Sequence, residues 1–216
     1  MTNRYFIKSI IEYYRESRKL TIEKGTYNIW RGVNHSISSQ SEDLFALMIA
    51  EELQNNSLEF IVDKTMSLKI QGEKSIQFRP DLAIVKDGKL THIIDLKMDM
   101  GYKRRYFETP EFKKEAKKFE ILRTQSFLEV TYNRGAEKLK VSKNIINQVV
   151  VISEKNEGKS TNRTEMIDAI DKLDWVNIYY LTGDVHPNNY SDTTLKDIRI
   201  NDEVFDKLFK DIKNQS

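Results

Sequence analysis

Two apolar segments with a turn signal between them constrain the fold of this chain more than any other feature. They are QFRPDLAIV at 77–85 and THIIDLKMD at 91–99, and Asp87-Gly88 lies between them. Strand-like runs on either side of an Asp-Gly pair are typical of a β-hairpin. The sequence therefore predicts two antiparallel strands, each with an acidic residue inside an otherwise apolar run.

The acidic residues are Asp81 on the first predicted strand and Asp95 on the second, where Lys97 follows. Side chains alternate along a strand, so Asp95 and Lys97 share one face. A regular two-residue turn would pair Asp81 with Ile94 and put the two aspartates on opposite faces. A three-residue loop or a bulge, for which Gly88 is suited, would restore the match. We therefore predict an odd-length loop or a bulge in this hairpin.

Two carboxylates and a lysine that converge in this way are suited to a hard divalent cation. Mg²⁺ prefers carboxylate and carbonyl oxygens and keeps several waters, and we expect that Mn²⁺ can replace it. Asp81 and Asp95 are the expected ligands, together with the backbone carbonyl of Leu96. The cation would polarise a phosphoryl oxygen and acidify an attacking water, and Lys97 would orient that water or stabilise the phosphate.

The structural alternative is that these charged side chains have no chemical role. Asp81 would then be an aspartate near a turn, and Asp95 and Lys97 would be an exposed pair. The apolar neighbours of Asp95 argue against this alternative, because charges are rarely buried unless they are paired or bound to a metal. We therefore favour the metal site.

A third acidic residue is expected from the preceding helix, and Glu42 is our candidate. The helix predicted at about 40–55 has an apolar stripe with Glu42 at its centre. The stripe consists of Phe45, Ala46, Ile49 and Leu53. The competing explanation is a capping box, in which Ser39 caps the helix and Glu42 satisfies an N-terminal amide. Because the stripe must face the sheet, we favour the site.

The remaining segments predict an α/β fold with a mixed central sheet and helices on both faces. Helices are expected at 4–20, 40–55, from Pro110, at 162–173 and at about 202–213, and strands at 58–70, 76–85, 90–98, 147–153 and 176–181. The run at 149–152 is typical of a parallel strand buried on both faces. With the helix and strand that follow, it makes a βαβ unit.

Composition and length indicate one globular domain over residues 1–216. Hydrophobic residues make up 39% and charged residues 31%, which allows a sizeable core and a polar surface. The absence of cysteine excludes disulfides, cysteine-ligated zinc and thiol catalysis, and agrees with a cytoplasmic protein. The sequence shows no secretory signal and no apolar run of bilayer length, so we expect no membrane partner.

A formal net charge of only +2 means that any nucleic-acid-binding surface must be local. Lys103, Arg104 and Arg105 directly follow the second strand of the predicted hairpin. These three residues, and Arg79 on the first strand, are candidates for phosphate contacts. For the basic helix that follows, pairs between glutamate and lysine on a solvated face are the favoured explanation.

Together these features resemble the PD-(D/E)xK nuclease superfamily, which includes restriction endonucleases and Holliday-junction resolvases. Pro80-Asp81 and Asp95-Leu96-Lys97 match its motif in the expected order, and Glu42 matches the acidic residue of its first helix. The resemblance covers about 38–181 and implies a restriction endonuclease-like αβββαβ core. Residues 1–37 and the last helix would be additions to that core.

The resemblance implies a Mg²⁺-dependent endodeoxyribonuclease in a restriction, repair or mobile-element setting, although RNA is not excluded as the substrate. A homodimer would supply the two active sites that duplex cleavage needs. One rival is a nuclease-fold module that binds nucleic acid or a protein partner without cutting. Another is a structural or inhibitory protein in which the acidic pair is incidental. The complete set of Asp81, Asp95 and Lys97 favours the enzyme.

Overall fold

A computed structural model of the chain has a mixed α/β fold. The structure describes residues 1–23, 25–26, 29, 31–69, 74–100, 110–132, 135–155, 173–188 and 193–215. The candidate phosphate contacts Lys103, Arg104 and Arg105 lie outside these residues, and so does almost all of the helix expected at 162–173.

Four helices and nine strands lie within the described residues. The helices are α1 (Asn3–Ile22), α2 (Ser38–Leu53), α3 (Pro110–Thr124) and α4 (Asp202–Gln215). The strands are β1 (Leu58–Val62), β2 (Met66–Leu68), β3 (Ile76–Phe78), β4 (Leu82–Lys86), β5 (Lys89–Lys97), β6 (Phe127–Tyr132), β7 (Gly135–Ser153), β8 (Val176–Asp184) and β9 (Ile198–Ile200). None of these helices is long and apolar enough to span a lipid bilayer.

Two strands predicted from the sequence are each divided in the structure. The segment 58–70 forms β1 and β2, because the chain takes a left-handed backbone conformation at Asp63, where φ is 46°. The segment 76–85 forms β3 and β4, which are separated by Pro80. Proline has no N–H group to contribute to a ladder, so it commonly ends a strand.

All nine strands belong to one open sheet, which is mostly antiparallel. β4 lies between β1 and β5 and is antiparallel to both. β7 is parallel to β5 on one side and, over its second half, to β8 on the other, and β9 is antiparallel to β8. The first half of β7 pairs with β6, and β2 and β3 extend the sheet beyond β6.

The hairpin of β6 and the first half of β7 was not predicted from the sequence, and neither was β9. In β7, buried Leu139 and Val141 alternate with exposed Lys138 and Lys140. This alternation is the signal of a strand with one buried face. The continuous apolar run that begins near Asn147 dominates the sequence pattern and obscures this alternation.

The sheet separates two apolar layers. On one face, α1, α2 and α4 pack around Phe6, Phe45 and Phe205, each exposed by 1% or less. On the other face, α3 contributes Phe119, which stacks on Trp175 with the ring centroids 4.9 Å apart. The predicted helices on both faces of a mixed sheet are therefore confirmed. α1 and α4, predicted as additions to the core, belong to the layer that contains α2.

The turn between β4 and β5 depends on a glycine. Asp87 and Gly88 have φ angles of 49° and 71°, which is the left-handed backbone that a two-residue type I′ turn requires. Space does not restrict a side chain here, since a β-carbon at Gly88 would meet no atom within 4 Å. The backbone conformation itself selects glycine.

Replacing Gly88 with alanine is expected to destabilise the protein by about 1–2 kcal/mol, because a β-carbon in the left-handed region costs roughly that much. Gly32→Ala is the matched control: Gly32 has no positive φ, and a β-carbon there also meets no atom within 4 Å. Urea unfolding measures both free energies. Equal stability of the two variants would contradict the assigned role of Gly88.

Candidate active site

A β-bulge in the hairpin of β4 and β5 changes the pairing two residue pairs from the turn. The register shifts between Ile84 and Val85, so that Ile84 pairs with His92 and Thr91 is the extra residue. The Thr91 hydroxyl donates a hydrogen bond to the Ile84 carbonyl at 3.1 Å. A side-chain bond to the opposite strand therefore holds the bulge in place.

The bulge brings the two aspartates to the same face of the sheet. Leu82 pairs with Ile94, and the next position in this register places Asp81 opposite Asp95. The predicted extra residue in the hairpin is confirmed. It is a bulge residue in β5 next to a two-residue turn, and not a third residue of the loop. A regular hairpin would have placed Asp81 opposite Ile94.

The Asp81 carboxylate is held by the backbone of the neighbouring strand. The amide N–H of Leu96 donates to Asp81 Oδ2 at 2.6 Å. The N–H and C=O of one strand residue point to the same side of the strand, so the Leu96 carbonyl also points to the β4 side. In the continued register Pro80 lies opposite Leu96, and proline cannot donate to that carbonyl. The role of the Leu96 carbonyl as a third oxygen ligand stays a prediction.

The carboxyl groups of Asp81 and Asp95 interact strongly with each other. Burial, the charge of Asp95 and a hydrogen bond between the two carboxyls raise the pKa of Asp81 to about 7. The ammonium group of Lys97 contacts Asp95 Oδ1 and acts in the opposite direction on the Asp81 pKa. Near neutral pH the pair therefore favours either a shared proton or a cation.

Glu42 does not cap helix α2. The helix begins at Ser38, and its N-cap residue, Ile37, makes no side-chain capping bond. The capping box required Ser39 at the N-cap position, so that competing explanation is wrong. The buried Ser41 hydroxyl instead donates to the Ile37 carbonyl at 2.8 Å.

Glu42 lies close enough to Asp63, Asp43, Arg79 and Lys97 for their charges to act on its carboxyl group. Burial and the charges of Asp63 and Asp43 raise the pKa of Glu42, whereas Arg79 and Lys97 lower it. Among the described residues, no three or more acidic, histidine or cysteine side chains are grouped closely enough to hold a metal ion. The role of Glu42 as a third ligand therefore stays a prediction.

Arg79 and Asp63 form an ion pair with two contacts next to the aspartates. Arg79 Nε and Nη2 lie 2.7 Å from Asp63 Oδ1 and Oδ2, respectively. Asp63 was overlooked because 58–70 was predicted as one strand, although aspartate tolerates the left-handed backbone that ends β1 there. The Arg79 side chain is 64% exposed, so it stays a candidate for phosphate contact.

A cavity of about 250 Å³ lies next to the aspartates, between the sheet and α3. Its lining includes the charged side chains of Asp95 and Lys97 and the rings of Phe119 and Trp175. Asn147 also reaches its wall. The sequence did not predict this cavity, because its walls come from segments far apart in the chain.

Comparisons with known proteins do not assign the chain to a family. No protein-family model matches it, and no curated protein has a significant sequence match. The functional interpretation therefore depends on the geometry of the site.

Proposed function

We propose that this protein is a Mg²⁺-dependent endodeoxyribonuclease of the PD-(D/E)xK type. The observation that carries the proposal is the offset register that holds Asp81 opposite Asp95, with Lys97 in contact with Asp95. A strand pair selected for stability alone would avoid this arrangement, because like charges directly opposite each other destabilise a sheet. A divalent cation between the carboxylates removes that cost.

The order of the elements supports the proposal. α2, β1, β4, β5, α3 and β7 follow one another as αβββαβ when the strands β2, β3 and β6 are treated as insertions. Within this set, β4 is antiparallel to β1 and β5, and β7 is parallel to β5. The resemblance implied this element order for residues 38–181.

The donor set fits Mg²⁺. Asp81 and Asp95 would supply carboxylates, and the Leu96 carbonyl on the same strand would be a third oxygen. Mg²⁺ is commonly held by one or two carboxylates and keeps several waters, so a third protein carboxylate is not required. A bound ion would polarise a phosphoryl oxygen and lower the pKa of an attacking water.

Two cationic side chains of the chain complete the proposed site. Lys97 contacts Asp95 and has a side chain that is 36% exposed, so its ammonium can also donate to a water or a phosphate oxygen. Arg79 is held by Asp63 at the rim and can neutralise a neighbouring phosphate. These residues would position the substrate strand over the aspartates.

Cleavage of nucleic acids by the purified protein tests the proposal. Supercoiled plasmid, linear duplex, single-stranded DNA and RNA would each be incubated with Mg²⁺, Mn²⁺ or EDTA. We expect DNA cleavage with either ion and none with EDTA. If every substrate stays intact with both ions, the enzyme proposal fails in favour of a module that binds without cutting.

Glu42→Gln tests whether the third acidic residue belongs to the site. We expect the affinity for Mn²⁺ to fall by about 10–100-fold, the usual effect of removing a group that supports the metal ligands. Asp43→Asn is the matched control, since Asp43 is the exposed neighbour on the same helix. Isothermal titration with Mn²⁺ measures both affinities, and an unchanged affinity in Glu42→Gln would remove Glu42 from the site.

A further inference from the structure

The cavity beside Asp95 is lined by both charged and apolar side chains. Ile93 and Asp95 both line it and lie on the same face of β5, so they are about 7 Å apart along the strand. Phe78 and the stacked rings of Phe119 and Trp175 are apolar parts of its lining. A ligand that fills the cavity must combine an apolar part with a group that binds beside the Asp95 carboxylate.

Asn147 adds an amide to the lining of the cavity, next to Ile93. It pairs with Ile93 in the parallel ladder of β5 and β7, and its side chain lines the cavity. Its Oδ1 atom is buried and accepts no hydrogen bond from the described residues. Because buried acceptors are rarely left unsatisfied, a donor from a bound molecule is expected at this position.

The size of the cavity limits what that molecule can be. About 250 Å³ is far more than the roughly 30 Å³ that one water occupies in the liquid, so a single structural water would leave most of the space empty. The volume is also slightly below the range of about 300–1,000 Å³ typical of pockets for drug-sized ligands. One small ring system fits it better than an extended ligand does.

We propose that the cavity takes up one unstacked nucleobase of the strand that is cut, with Asn147 bonding to the edge of that base. This inference rests on the proposed nuclease function. Enzymes that take up unstacked bases hold the faces between aromatic or apolar side chains and bond to the edge. An amide offers an acceptor and two donors for such an edge. The sugar would then connect the base to a phosphate at Asp81 and Asp95.

The base pocket assigns a substrate class. A base in an intact duplex is stacked and paired, so it reaches the cavity only after extrusion, which costs free energy. An unpaired nucleotide avoids that cost. The expected substrate is therefore DNA with an unpaired nucleotide at the cut position, as in a single strand, a bulge or a branch.

The test measures, by fluorescence anisotropy in EDTA, the binding of two labelled duplexes that differ only in one extra, bulged nucleotide. We expect the wild type to bind the bulged duplex about tenfold more tightly. Asn147→Ala, and Ala116→Leu, which fills the cavity from α3, should each lose this preference and keep the affinity for paired DNA. Asn144→Ala, at an exposed position of the same strand, should retain it.

Cleavage of the same two duplexes in Mg²⁺ separates the two proposals. Cleavage together with equal affinity for both duplexes would overturn the base pocket and leave the nuclease standing. A preference for the bulged duplex that survives in both cavity variants would also overturn the pocket. No cleavage, together with a preference that Asn147→Ala abolishes, would overturn the nuclease and support base binding. Neither cleavage nor preference would overturn both.

Discussion

Asp95→Asn is expected to lower the rate of Mg²⁺-dependent DNA cleavage by about 10³-fold. The substitution keeps the shape of the side chain and removes one of the two facing carboxylates, so the proposed site would lose one of its two carboxylate ligands. Lys97→Ala is expected to lower the rate by about 10²–10³-fold, because it removes a cation placed next to the charge that develops on the phosphate.

The same hairpin offers matched controls for both variants. Asp87→Asn and Lys89→Ala make the same substitutions at exposed positions near the turn, and we expect their rates to stay within about twofold of the wild type. Initial rates of plasmid nicking give the comparison, and thermal unfolding shows whether each variant is folded. An Asp95→Asn protein that retains more than about a tenth of the wild-type rate would exclude Asp95 as an essential ligand.

The second large effect concerns stability, which we expect to fall as the pH rises from about 4 to about 7. The pKa of Asp81 is raised from 3.8 to about 7 on folding, so in this range the folded protein holds a proton that the unfolded chain has released. The contribution is complete below the unfolded pKa and is lost as the pH rises through the folded pKa. Because solvent screens part of the effect at this half-buried group, we expect a loss of about 2 kcal/mol.

Asp81→Asn separates this effect from other titrating groups. Asparagine keeps an oxygen that can accept the Leu96 amide, and it has no proton to release. The variant should exceed the wild type in stability by about 2 kcal/mol at pH 8, and the difference should shrink toward pH 4. Urea unfolding over this pH range measures it, with Asp87→Asn as the control. A variant with the wild-type pH profile would show that Asp81 titrates normally.

The effect of Mg²⁺ on the unfolding temperature tests the same two carboxylates independently. At pH 8, an ion that binds only the folded protein should raise the unfolding temperature of the wild type. It should have little effect on Asp81→Asn, which lacks one ligand of the proposed pair. Equal stabilisation of both proteins by Mg²⁺ would place the ion elsewhere.

The elements predicted best are those with a strong local pattern. α1 and α4 have apolar residues at helical spacing, and Phe205 and Leu208 of α4 are fully buried as that spacing requires. The hairpin of β4 and β5 has an Asp-Gly turn between two apolar runs, and the structure confirms it. The short strand β9 escaped prediction, and the sequence merged β2 with β1 and β3 with β4, because strands of three residues are stabilised by their neighbours rather than by a pattern of their own.

For the candidate site, the sequence predicts that the hairpin needs one extra residue, and the tertiary structure shows where that residue lies. Asp81 and Asp95 share a face of the sheet only if the hairpin contains one residue more than a regular two-residue turn allows. A three-residue loop and a bulge both meet that condition, so counting could not choose between them. The structure has the bulge, where Thr91 is buried and bonds to the opposite strand.

The sequence by itself determined which residues share a strand face and which carry charge, because the alternation of side chains is a local property. That local pattern is what makes Asp81, Asp95 and Lys97 the candidates for a site. Only the tertiary structure decided that Asp63 holds Arg79 and that Asn147 lines a cavity beside the aspartates. Those contacts join segments that are far apart in the chain, and long-range strand pairing and helix packing bring them together.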